Sequence, residues 1–125
     1  MQILSMLFCG DFAPCRRFEN VTLENGAEVF GALGSEISGS DISFLNLETP
    51  LCTSSHPINK SGGAIRADPE CIRAVSEAGF TVAGLANNHI MDYGPDGLAS
   101  TIEACESHGV RYCGAGSNLP IRNGQ

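Results

Sequence analysis

Phe80-Thr81-Val82-Ala83-Gly84-Leu85-Ala86-Asn87-Asn88-His89-Ile90-Met91-Asp92-Tyr93-Gly94 is the stretch that decides the fold of this chain. Its first six residues read as a hydrophobic strand. They run straight into two amides, an imidazole and a carboxylate, and the next helix opens only at Pro95. In α/β proteins ligands bind at the carboxyl ends of the strands, so the chemistry of this protein is expected on that rim.

The same grammar extends on both sides. Upstream, Asp68 is a helix N-cap and Pro69 the first helical residue, Ile72 and Val75 form an apolar stripe, and Gly79 ends the helix. Downstream, Leu98, Ile102 and Cys105 recur at helical spacing over 95–108, Gly109 closes the helix, and a strand follows at 110–113. Helix, glycine, strand, twice in succession, predicts βαβ units and an α/β fold with a mainly parallel sheet flanked by helices. In the first half the pattern predicts a strand at 3–9, a helix over 27–37 burying Val29, Phe30, Leu33 and Ile37, and a strand at 42–45. Segments 12–26 and 50–63 read as long loops; each follows a polar strand end, which favours function. Residues 117–125 show no periodicity, and the sequence reads as one partial domain over 1–125.

The totals exclude several classes. A net charge of −7 and a pI near 4.7 speak against nucleic-acid binding, which wants a basic face. No apolar run reaches the roughly 18–20 residues of a membrane span. Residues 1–8 are apolar but lack a basic start and a cleavage site, so they read as a first strand and the expected location is cytoplasmic. Cys9, Cys15, Cys52, Cys71, Cys105 and Cys113 show no C-x-x-C spacing and read as small hydrophobes with free thiols.

Three strand ends carry the candidate site. Gly10-Asp11 offers a carboxylate after a residue that lets the backbone turn, although Gly-Asp is also an ordinary turn. Asn46 and Glu48, two apart in an extended segment, share a face while Leu47 points to the core. Asn87, Asn88 and His89 supply amide oxygens and an imidazole, the commonest general acid or base. Asp92 either orients that imidazole or caps the helix at Pro95. Arg16 and Lys60, the only lysine, can receive an anion or serve as surface charge. His56 and His108 read as surface residues.

Gly10-Asp11 with Arg16, then Asn46-Leu47-Glu48-Thr49-Pro50-Leu51, then Ala86-Asn87-Asn88-His89 with Asp92-Tyr93-Gly94, and finally Gly114-Ala115-Gly116, resemble the bacterial capsule-synthesis proteins of the poly-γ-glutamate type, the CapA family. That family is similar to calcineurin-like metallophosphoesterases. The resemblance therefore implies the N-terminal half of an α/β/β/α sandwich with metal at the strand ends. It implies Asp11, Glu48 and Asn88 as ligands of a divalent metal (Mn, Mg, Zn or Fe), with the oxygen-rich set favouring Mn or Mg. It implies His89 and Asp92 as catalytic residues, and Arg16, Asn46, Lys60 and Asn87 as substrate contacts. The phosphoesterase first motif has a histidine two residues after its aspartate, where this chain has Ala13, and the later histidine ligands have no counterpart here. The implied function is a metal-dependent hydrolase acting on a phosphoester or an anionic polymer. The alternative is a non-catalytic polymer-binding component of a synthesis or export assembly. Other capsule synthesis proteins are the implied partners, and many relatives are exported or membrane-associated.

Overall fold

Four strands make one parallel sheet in the order β1-β2-β3-β4: β1 Met6–Phe12, β2 Ile42–Leu47, β3 Val82–Gly84 and β4 Arg111–Cys113. The computed structural model describes residue 1 and residues 3–116; the reading of 117–125 lies outside the described residues. The helices are α1 Arg17–Asn25, α2 Gly34–Gly39, α3 Ile72–Ala78 and α4 Gly94–Ser107, with 3-10 segments at Gly26–Leu33 and Pro69–Cys71.

A sheet that grows by one strand at a time through right-handed crossovers sends every connection across the same face. Burial agrees. Ser43, Leu45 and Leu47 of β2 and Ala83 of β3 are buried against Ile37, Ile72, Val75 and Cys105. The alternate residues face the other way: Met6 and Phe8 are exposed, Phe44 is half-buried against Phe8 with ring centroids 5.9 Å apart, and Val82 is half-buried beside it. Gly84 belongs to that second face, where a Cβ would lie 2.5 Å from the Phe44 ring.

The second half folds as its punctuation dictates. Asp68 caps its helix by accepting from Glu70 N at 2.9 Å, and Gly79 ends α3 in the left-handed conformation at φ 89°. The first half departs from expectation in three places. Residues 3–5 precede β1, which extends instead to Phe12 and so contains Asp11. Segment 12–26 is not all loop, because α1 occupies Arg17–Asn25. That helix starts after Arg16 at φ 56° without a side-chain cap and buries Thr22 while exposing Phe18 and Val21, so it shows neither a start signal nor an inward apolar stripe. The helix expected over 27–37 is a 3-10 segment followed by α2, broken at Gly31 (φ 52°); Ile37 and Phe30 pack inward but Leu33 is exposed. All six thiols are free, yet Cys113 is exposed. Burial pushes Cys71 up to about 12 and Cys105 up to about 11, so these two are inert core groups.

Among the described residues no helix is long and apolar enough to cross a membrane.

Candidate functional site

The register of β1 on β2 decides where Asp11 points. Phe8 pairs with Phe44, and Asp11 with Asn46, so three steps along β1 match two along β2. One extra residue at Cys9-Gly10 is a β-bulge, which re-aims every later side chain. Without it, Asp11 would share the face of the half-buried Leu7 and Cys9, toward the core. With it, Phe12 packs on the core and Asp11 stands beside Asn46 on the exposed side. Gly10 thus serves as a bulge within the strand, not as a turn after it.

From Asp11 an amide chain runs across three strand ends. Asn46 Nδ2 donates to Asp11 Oδ1 at 2.8 Å. Asn87 Nδ2 donates to Asn46 Oδ1 at 3.1 Å and to the Leu47 carbonyl at 2.9 Å. Asn87 Oδ1 accepts from the backbone N–H groups of His89 and Ile90, at 3.1 and 2.9 Å. Those two backbone donors fix which end of the Asn87 amide is oxygen, and each later amide orientation follows from it. The chain shapes the turn that presents His89.

His89 is held from the opposite side. Its Nδ1 lies 2.7 Å from Asp92 Oδ2, and Asp92 is 1% exposed. The same carboxylate accepts from Ile65 N at 2.8 Å and pairs with Lys60 Nζ. Burial alone would push the Asp92 carboxyl up. Burial is the largest single influence, but the hydrogen bonds from Lys60, His89 and the Ile65 N–H together outweigh it, and the group sits below the usual carboxylate range. An ionised carboxylate only accepts, so the bond places the imidazole proton on Nδ1 and leaves Nε2 facing Glu48, whose Oε1 is 4.0 Å away. Asp92 therefore orients the imidazole. It does not cap α4, which begins at Gly94 after Tyr93 with no side-chain cap.

The other expected residues take distinct places. Glu48 follows β2 and is half-buried, its backbone N–H on the Phe12 carbonyl. The Asn88 side chain is exposed, and its backbone carbonyl accepts from Lys60 at 3.2 Å. Arg16 is exposed and has no acidic partner among the described residues. The Lys60 ammonium is committed to Asp92 and Asn88, and the Asn46 and Asn87 amides are committed to each other.

Asp11, Glu48 and Asn88 supply oxygen donors of the kind divalent cations take, on one sheet edge. Among the described residues no three His, Cys, Asp or Glu side chains close into a metal cluster. The donor set suits a hard cation in chemistry but is open in geometry. The sequence marks 50–63 as a loop that favours function and offers Lys60, but it does not show that the segment between Leu51 and Ala67 closes in a parallel bridge or that Ile58, Lys60 and Ile65 all bond to Asp92. That segment carries little apolar periodicity to read.

A one-sided parallel α/β layer with an acid–amide–imidazole rim at its carboxyl edge is the class of molecule defined so far. Residues 5–123 match the family model described as bacterial capsule synthesis protein PGA_cap, and the chain belongs to that family. It is 36% identical over 120 residues to the capsule biosynthesis protein CapA of Bacillus anthracis, covering 93% of this chain and 29% of that protein. It is 31% identical over 120 residues to the PGA biosynthesis protein CapA of Bacillus subtilis, covering 94% and 31%. A probable polyglutamine synthesis accessory protein of Mycobacterium tuberculosis is 32% identical over 84 residues, covering 67% and 22%. The chain spans less than a third of the length of these relatives.

Proposed function

We propose that this chain carries part of the reactive rim of a metal-dependent hydrolase acting on a phosphoester or an anionic polymer in capsule or polyglutamate synthesis. The observation that carries the reading is the anchoring of His89 by a buried, ionised Asp92, with Nε2 directed toward Glu48. An imidazole fixed in this way moves a proton at one defined nitrogen, the usual arrangement of a general acid or base. Asp11, Glu48 and Asn88 would hold a divalent metal, which supplies Lewis acidity for a phosphoryl or acyl oxygen when bound. The open donor set leaves room for ligands from a longer polypeptide of the relatives' length. Arg16, exposed at the start of α1, is the cation available to an anionic group.

The name of the mycobacterial relative, a probable accessory protein, favours a second reading, in which the rim binds anionic polymer without turnover. One set of measurements separates the two. Calorimetric titration with Mn is expected to show binding that Asp11→Ala and Glu48→Ala weaken at least about tenfold. Turnover of a chromogenic phosphodiester with Mn is expected to fall by about 10²-fold or more in His89→Ala. Unchanged Mn binding in both carboxylate variants would overturn the metal assignment. Absence of turnover together with retained poly-γ-glutamate binding would establish the second reading.

A further inference from the structure

Lys60 sits in the segment 52–66, a strap closed at its base by the Leu51–Ala67 bridge, with Cys52 N donating to the Ala67 carbonyl at 2.9 Å. Three groups of its far end converge on one residue, Asp92. Ile58 N donates to the Asp92 carbonyl at 2.8 Å, Ile65 N to Asp92 Oδ2 at 2.8 Å, and Lys60 Nζ pairs with Asp92 Oδ1. Two of the three groups on the Asp92 carboxylate thus come from the strap, and the third is His89 Nδ1.

We infer that Lys60 is a positioning residue: it acts through Asp92 to hold the His89 imidazole, and it does not serve as an anchor for substrate. The geometry assigns a role to each carboxylate oxygen. Lys60 occupies Oδ1, which turns the carboxylate plane so that Oδ2 lies between Ile65 N and His89 Nδ1. Lys60 also supplies the compensating charge that lets a carboxylate with 1% exposure remain ionised and act purely as an acceptor. Its own side chain is only 21% exposed, and two of its three donors are committed inside the site, to Asp92 Oδ1 and the Asn88 carbonyl. Without Lys60 the buried carboxylate loses its only cation from the strap. It must then swing toward solvent or take up a proton; the first withdraws the acceptor that orients His89, and the second replaces a charged acceptor by a weaker neutral one. The strap and the imidazole are coupled through the Asp92 carboxylate, which takes Lys60 on one oxygen and the Ile65 N–H on the other. The inference deepens the reading of His89 as the proton-moving group.

Nuclear magnetic resonance of the 15N-labelled protein, without substrate, tests it. In the wild type, His89 is expected to show a protected, low-field Hδ1 proton and the Nδ1-protonated tautomer; an Nε2-protonated tautomer would overturn the inference at once, with no variant needed. Lys60→Met is expected to lose the protected Hδ1 signal, and Lys60→Arg, which keeps the charge, to restore it. A Lys60→Met protein that melts earlier or is cleaved faster within 52–66 while keeping the Hδ1 signal would show Lys60 to be a clamp on the strap only, and would overturn the inference. If Lys60→Met does not fold, the wild-type tautomer and Lys60→Gln at lowered temperature decide by the same signal. These signals are read without turnover, so a protein that hydrolyses nothing can still confirm or refute the role of Lys60.

Discussion

Two networks meet at His89, and they are built on opposite principles. On one side two half-buried amides, Asn46 and Asn87, run in from the exposed Asp11 carboxylate, with every link satisfying a neighbouring strand end or a backbone group. On the other side Lys60, Asp92 and His89 form an ionic cluster around a fully buried carboxylate. The amide chain shapes the backbone of the turn. The ionic cluster orients the ring. Neutral links are individually worth about 1 kcal/mol and fail gradually, whereas a buried charge stripped of its partner fails abruptly.

The largest effect is expected from Asp92→Ala. It leaves Lys60 without its partner and the Ile65 N–H and His89 Nδ1 without an acceptor, so a loss of about 3 kcal/mol is expected in urea denaturation. A loss under about 1 kcal/mol would mean that the cluster contributes no more than a single amide link. Asn87→Ala follows, at about 2 kcal/mol, because two backbone donors and the Leu47 carbonyl lose their partner together. Equal losses in the two variants would erase the distinction between the networks.

The third expectation concerns pH. The folded Asp92 carboxyl lies below its ordinary value, so the unfolded chain binds its proton more readily than the folded one. Its contribution is fully present above the unfolded carboxylate value of about 3.9 and is lost as pH falls through the lower folded value. Urea midpoints measured across that acid range should fall more steeply for the wild type than for Asp92→Asn; parallel profiles would remove Asp92 from the acid response.

The smallest effect is a control between the networks. Thr49, next to Glu48, is fully buried, and its hydroxyl makes no hydrogen bond among the described residues. Thr49→Val is therefore expected to be neutral or stabilising by up to about 1 kcal/mol, since it removes an unsatisfied polar group while keeping the shape. A clear loss of stability would show that the hydroxyl has a partner.

Legibility in the sequence divides along the same lines as stability. The segment from Asp68 to Cys113 was readable because each boundary has its own chemical mark: Asp68 and Pro69 open, Gly79 and Gly109 close, and Ile72 and Val75 lie on the buried face, while Leu98 and Ile102 flank the buried Thr101 and Cys105. Helix α1 was not readable, because Phe18 and Val21 point outward and Thr22 inward, against the rule that a pattern search relies on. The candidate residues were named from their chemistry at strand ends, but their partners were not. Nothing local joins Lys60 to Asp92 across 32 positions, or Asn46 to Asn87 across 41. Whether Asp92 caps a helix or orients a histidine was open on residue type alone, since aspartate suits both.

By itself the order of residues determined the parallel α/β layer, the rim on which the polar residues stand, and the family, because periodicity, capping and short motifs act over a few neighbouring positions. Only the tertiary structure decided the face on which Asp11 stands and the ring that Asp92 holds. One depends on a single extra residue in β1 shifting its register against β2. The other depends on a strap brought over the site so that a lysine reaches a buried carboxylate. Both are consequences of pairing between distant segments, and the energy of such a pairing belongs to neither segment alone.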